Sequence, residues 1–228
     1  MKIDLGVMAA DSAEIESFCK LGYSLKLSGF AAPENYEEAV KNVGQMMVYS
    51  RVDIKGRTIA SIKKQIDRVR KTTVIIALEI GSIDRTNWAV DDKRVDLLTM
   101  SPASGHPLRA TTARLAAAAG IALEIQIAPL LGTSGLNRSK ILKTYRVAME
   151  TAYDNGMMIV ITSGAKMPMG LRAPVAMVHI GMLLGLEKTY AQKTIDDFPT
   201  IIVQRNLKKL DSNYVGAGVE IIRGSENR

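Results

Sequence analysis

Two short loops of this chain combine glycine, hydroxyl and basic side chains as phosphate-binding loops do. TSGAK, residues 162–166, follows the apolar run MMIVI, and GTSG, residues 132–135, follows IALEIQI. Backbone N–H groups exposed by glycine, together with a nearby helix start, would cradle a phosphate at either place. Neither loop matches the P-loop pattern, because Lys166 is followed by Met167 rather than Ser or Thr. Ordinary turns and caps use the same glycines, so a barrel enzyme acting on a phosphorylated small molecule is the alternative reading and not the leading one. Asn137 and Ser139 are expected as helix N-caps after the second loop.

Other catalytic groups are sparse. His106 and His179 form no HxH or HExxH pair, so the several His and carboxylate ligands that metal hydrolysis needs are missing and no metal centre is expected. His179, among Val178, Ile180 and Met182, is expected to be packed or capped. His106, at a helix entrance, is expected to cap or to be solvated. Asp4, Glu79 and Glu124 fall on strands. Glu79 and Glu124 are expected to point into the barrel or towards its helix layer, as paired structural carboxylates rather than as an acid/base couple, and burial would demand a partner such as arginine. Ser101, Ser134 and Ser163 lack the GxSxG context of a serine hydrolase. No catalytic residue is assigned.

Positive charge is the denser signal. Between residues 51 and 71 lie Arg51, Lys55, Arg57, Lys63, Lys64, Arg68, Arg70 and Lys71 against Asp53 and Asp67, a net +6 (8 − 2) within a chain of net +7. If 59–70 is helical, Ile59, Ile62, Ile66 and Val69 share one face, and Lys64, Arg68 and Lys71 share the opposite one. A second helix repeats the theme, with Ile141, Tyr145, Ala148 and Ala152 inward and Lys140, Lys143 and Arg146 outward. Such faces follow a phosphate backbone without reading sequence. With aromatics at 5%, stacking platforms for single-stranded bases are poor, and structured RNA recognised by shape and backbone fits better.

The elements that must position these residues alternate in type. KIDLGVM, YSLKLSG, MMVYSRVDI, TVIIALEI, VDLLTMS, IALEIQI and MMIVITS read as strands. DSAEIESFCKLG, ENYEEAVKNVG, IASIKKQIDRVRK, TNWAVDD, LRATTARLAAAAG, SKILKTYRVAMETAYDNG and APVAMVHIGMLLG read as helices, the last with Pro174 suited to its first turn. Strand and helix in series point to a parallel α/β fold. A TIM-like barrel, closed or nearly so, is favoured over an open doubly wound sheet because no GxGxxG follows a strand. One domain is expected over 1–210, with 211–228 as a C-terminal tail.

Composition is that of an ordinary folded domain: 228 residues, 47% hydrophobic and 23% charged. Cys19 is the only cysteine, so no internal disulfide forms, a reducing compartment is expected, and the thiol reads as a small buried apolar group. The N-terminus turns polar at Asp11 before any run reaches signal-peptide length, and no segment approaches membrane-spanning length. A soluble, cytoplasmic protein without a membrane partner is expected. Met157, Met158, Met177 and Met182 are read as core filling.

One family gathers these features in order. ITSGAK, LRAP, the leucine- and glycine-rich helix after them and the closing PTIIVQRNLKKL together resemble archaeal ribonuclease P protein component 3, the counterpart of a eukaryotic ribonuclease P protein. VDLLTMSP, a helix and then GIALEIQIAPLL continue the resemblance upstream, from residue 95 to 210. It implies a barrel related to the polymerase and histidinol phosphatase metalloenzymes. It also implies a role as a non-catalytic subunit that binds and stabilises the RNA carrying out 5′-leader removal from precursor tRNA. No cofactor would be bound by the protein, while magnesium would serve the RNA-catalysed reaction. The partners implied are ribonuclease P RNA, other protein subunits and especially component 2, with precursor tRNA met indirectly. Lys166 and Arg172 match the family's basic loop and carry its RNA contact; Lys64, Arg68 and Lys71 join them from the charge pattern. At Ala128 the family tends to place an arginine, so no contact transfers to that position.

Overall fold

The computed structural model describes residues 1–9, 12–33, 38–211, 214–216 and 219–220. Seven strands run parallel around a barrel: β1 (Ile3–Asp4), β2 (Gly29–Ala32), β4 (Met46–Ile54), β5 (Ile75–Glu79), β6 (Leu97–Thr99), β7 (Ala122–Gln126) and β8 (Ile159–Thr162), each beside the next; β3 (Val40–Val43) pairs antiparallel with β4. Helices separate them: α1 (Ser12–Ser24), α2 (Ile59–Val69), α3 (Ile83–Asp92), α4 (Ala110–Ala119), α5 (Ala128–Leu131), α6 (Gly135–Asp154), α7 (Pro174–Leu183), α8 (Lys188–Lys193) and α9 (Asp197–Leu210). Among the described residues β1 and β8 share no ladder, yet their carboxyl ends are stitched together. Gly164 N–H donates to the Gly6 carbonyl at 2.9 Å and Met8 N–H to the Ala165 carbonyl at 2.7 Å. The barrel is therefore nearly closed, and closed best where its loops emerge.

Strand parity divides the core. Leu78, Leu98, Leu123, Ile125, Ile159 and Ile161 face outward and pack under Ile62, Ile66, Ala89, Ala113 and Tyr145 of the helices. The alternate positions Tyr49, Ala77, Leu97, Ala122 and Val160 belong to a second cluster with Ile202 and Val203 of α9. That helix lies across the amino end of the barrel: Asn206 donates to the Val74 carbonyl at 2.8 Å and Thr200 to that of Met1 at 3.1 Å. The interior is thus apolar below and sealed by α9, which leaves polar side chains for the upper, carboxyl-end layer.

Two expected elements are placed differently. ENYEEAVKNVG was expected as a helix, but its described part forms β3, turned into β4 at Gly44, whose φ of +61° suits a tight hairpin. YSLKLSG was expected as a strand, but Tyr23 and Ser24 end α1 and the strand begins only at Gly29. Backbone N–H groups of Leu25 and Leu27 still bond back to α1 carbonyls, which delays extension. Most of the tail expected from 211 lies outside the described residues.

Candidate nucleic-acid interface and the barrel mouth

The carboxyl-end layer of the barrel holds one continuous polar network. Arg51 of β4 and Glu124 of β7 are both fully buried and meet as a fork, Nη1 to Oε1 at 2.6 Å and Nη2 to Oε2 at 2.8 Å. Asp53 closes the other side of the guanidinium, with Nη2 to Oδ1 at 2.7 Å and Nε to Oδ2 at 3.1 Å, and Nη1 also reaches the Leu5 carbonyl at 2.5 Å. All five guanidinium N–H groups are spent, as a buried arginine requires. Glu124 further accepts from the hydroxyls of Thr99 at 2.6 Å and Thr162 at 3.0 Å. Burial alone would depress the Arg51 pKa, but Glu124 and Asp53 outweigh it and push it up, so the guanidinium stays charged.

Beside this network Asp4 accepts from Gly6 N–H at 3.0 Å and from Ser163 N–H at 3.1 Å. Burial raises its pKa from the ordinary value, opposed by the hydrogen bonds of Ser163 and Gly6. The TSGAK loop is consequently a joint and not a cradle. The N–H groups of Ser163, Gly164 and Ala165 go to Asp4, the Gly6 carbonyl and the Ser163 hydroxyl, so these three are not free to cradle a phosphate. Gly164 has φ +64°, and a Cβ there would sit 3.1 Å from Ala128 Cβ. In the GTSG loop, Ser134 is the N-cap of α6 without a side-chain cap bond, so Asn137 and Ser139 lie within the helix and not at its cap. The Ser139 hydroxyl instead bonds the Gly135 carbonyl.

Several single residues sit elsewhere than expected. Glu79 is exposed at the rim; the carboxylate that joins Glu124 in one network is Asp53, bridged through Arg51. Arg51 and Arg70, both counted in the basic window, serve internal ion pairs, Arg70 with Asp96 at 2.7 Å. His179 is exposed on α7 rather than packed, and Met182 is 38% exposed, whereas Met157 and Met177 are buried as expected. His106 is exposed. Among the described residues no group of three or more His, Cys, Asp or Glu is placed to hold a metal, and no helix is long and apolar enough to cross a membrane.

What the segment around α2 leaves exposed is mostly cationic. α2 starts where the extended Thr58 accepts the Ser61 N–H at 3.2 Å, and Ile62 and Ile66 fix its buried face. Lys63, Lys64 and Arg68 then face solvent, with Lys55 and Arg57 before the helix and Lys71 after it. Asp53 is taken by Arg51 and Asp67 by Arg94, so the acids of this window do not neutralise the row. After β8, Lys166 is exposed, while the Arg172 guanidinium is folded back on the Met169 and Leu171 carbonyls at 2.9 and 2.7 Å. These two regions lie on opposite sides of the barrel, since α2 follows β4 and the late loop follows β8. On α6, Lys140 and Lys143 are exposed, and Arg146 is tied to the Leu183 carbonyl at 2.9 Å.

A barrel whose mouth is filled by its own side chains, and whose described outer residues include cations without an ion pair, defines a structural class and not yet a family. Comparison identifies which one: the chain belongs to the RNase P subunit p30 family, whose model matches residues 6–210. It is similar to ribonuclease P protein component 3 of Methanocaldococcus jannaschii, 28% identical over 236 aligned positions covering 98% of each chain. It is also similar to the protein of that name from Methanosarcina barkeri, 23% identical over 215 positions, 91% of this chain and 89% of the other. A chain in the cryo-EM structure of archaeal ribonuclease P with mature tRNA shares the fold, with a TM-score of 0.82 and 23% identity over 99% of this chain and 100% of that one.

Proposed function

We propose that this chain works as a protein subunit of ribonuclease P, binding and stabilising the RNA that removes the 5′ leader from precursor tRNA. The observation that carries the reading is the row of unpaired cations along α2, on a family member whose barrel mouth is closed by Arg51, Glu124 and Asp53. A polyanion that follows such a row releases counterions and needs no cleft. The chemistry then belongs to the RNA and its magnesium, and the chain contributes no catalytic group of its own. Lys64 and Arg68 touch phosphates from α2, Lys71 from just past its end, and Lys166 from the late loop. Arg172 acts there by holding that loop's shape as well as by its charge, because its guanidinium already bonds two loop carbonyls. Component 2 is the protein partner that the family resemblance supports, and the cytoplasm is the compartment.

The test is reconstitution. Ribonuclease P RNA of the source organism is assembled with the other protein subunits, and precursor tRNA cleavage is measured at limiting magnesium with and without this chain. Cleavage that depends on the chain supports the reading; cleavage indifferent to it removes it.

A further inference from the structure

The amino end of the barrel gathers more positive charge than its own acids balance. Asp96, just before β6, is buried and saturated: Oδ2 accepts from Arg70 Nη1 at 2.7 Å and from the Ile76 N–H at 2.9 Å, and Oδ1 accepts from Arg205 Nη2 at 3.0 Å. Arg70 also holds the Arg94 carbonyl at 3.1 Å, and Arg205 holds the Gly120 carbonyl at the end of α4. Arg94 is itself committed to Asp67 and Asp92. Lys209 stands one turn beyond Arg205 on α9. Burial, Arg205 and Arg70 together lower its pKa, and only Asp96 opposes them. Among the described residues, three cations therefore share the one carboxylate of Asp96.

Helix ends explain part of this arrangement, because α2, α4 and α9 all finish here and their last carbonyls favour positive charge. They do not explain all of it. Nη2 of Arg70 is buried and has no acceptor among the described residues, and a guanidinium N–H withdrawn from water is normally paired. Lys209 likewise has no carboxylate of its own among the described residues. A tetrahedral group with several acceptor oxygens and negative charge would answer Lys209 directly and Arg70 once its guanidinium, on a side chain 15% exposed, turns outward, since arginine forks match phosphate oxygens in pairs. The exposed row of α2 ends close by in the chain, with Arg68 two residues before Arg70 and Lys71 one after it.

We propose that Arg70, Arg205 and Lys209 form a phosphodiester site for RNA at the amino end of the barrel, the point into which the α2 row leads. The site rests on the reading of the chain as a subunit that binds ribonuclease P RNA. It extends the RNA contact from α2 onto the face sealed by α9.

The full chain is titrated with ribonuclease P RNA over a series of salt concentrations, for wild type, Lys209→Gln, Lys209→Arg and Arg205→Gln. Removal of one cation from the phosphate backbone is expected to lower the log–log salt slope by about one in both Gln variants and to weaken binding across sequences, with Lys209→Arg retaining both. Arg205→Gln also gives up its bond to Gly120, whereas Lys209 has no such partner, so Lys209→Gln separates the site from folding. Unchanged slope and affinity in Lys209→Gln, against a salt-dependent wild type, would overturn the site and leave the subunit reading standing. Salt-independent binding by the wild type overturns both. An unchanged RNA slope with failed assembly onto the other protein subunits also overturns the site, and assigns the cluster to an acidic protein segment instead.

Discussion

Arg51 and Glu124, from strands on different sides of the barrel, meet in a two-bond fork with neither side chain open to solvent. The pair occupies the layer where a barrel enzyme would open its site, and Asp53, Thr99 and Thr162 complete it. Removing one member leaves the other charged and buried. Arg51→Met is expected to cost about 3–5 kcal/mol in urea unfolding, while Arg51→Met with Glu124→Leu recovers much of that loss. A single variant within about 1 kcal/mol of wild type would show that the network does not hold the mouth together.

Gly6 lies against that network. A Cβ on it would stand 2.4 Å from Thr162 Oγ1 and 2.6 Å from Glu124 Oε1, and Gly6 also provides the carbonyl that closes the β1–β8 seam. Gly6→Ala is therefore expected to destabilise by about 1–3 kcal/mol through overpacking. Calorimetry checks it, and because Gly6 has no left-handed φ, any loss reports crowding and not backbone strain.

Much of this was legible in the residues. Apolar runs alternating with amphipathic stretches mark the parallel strands and their helices, because each strand is buried on both faces and each helix on one. β3 escaped because its hairpin turns on Gly44 and Gln45 after an acidic stretch that reads as a helix. The demand of Glu124 for an arginine is visible from its strand, but the identity of that arginine is not. Arg51 sits among basic neighbours and reads as part of the outer charge; only its alternation with Tyr49, inside a run of apolar residues, hints that it faces inward. Asp96, Arg70 and Arg205 are far apart in the chain, and no local pattern joins them.

Asp4 links the seam to pH. Its raised folded pKa means that the neutral carboxyl is preferred in the folded state, so its contribution is fully present below the ordinary value of 3.8 and is lost as pH rises through the raised value. Asp4→Asn keeps an oxygen for both Gly6 and Ser163 N–H, since Oδ1 alone accepts from both. The variant is expected to gain stability relative to wild type as pH rises through that window, measured as unfolding midpoints from about pH 4 upward. A constant difference across the series would exclude Asp4 titration as its source.

Cys19 is 4% exposed, and burial with the nearby Glu16 pushes its thiol up to about 11, against a smaller opposite effect of Lys41. The reactive thiolate is thus scarce at neutral pH. Labelling with a disulfide reagent at about pH 8 is expected to be slow in the folded protein and immediate in denaturant. Rapid labelling of the folded chain would contradict the packing of Cys19 in the α1 core.

The α2 row should be separable from folding. Lys64 and Arg68 are exposed and make no ion pair among the described residues, while Ile62 and Ile66 hold the helix down from the other face. Lys64→Glu with Arg68→Glu is expected to change unfolding free energy by no more than about 1 kcal/mol, as paired surface substitutions do. The same double variant should lower the salt slope of RNA binding by about two, one for each phosphate that a cation no longer neutralises. Fluorescence anisotropy with structured RNA, from low to physiological salt, reads both slope and affinity. If the slope and the dependence of reconstituted cleavage on the chain both survive, the RNA is met elsewhere, and Lys166 in the late loop becomes the next residue to reverse.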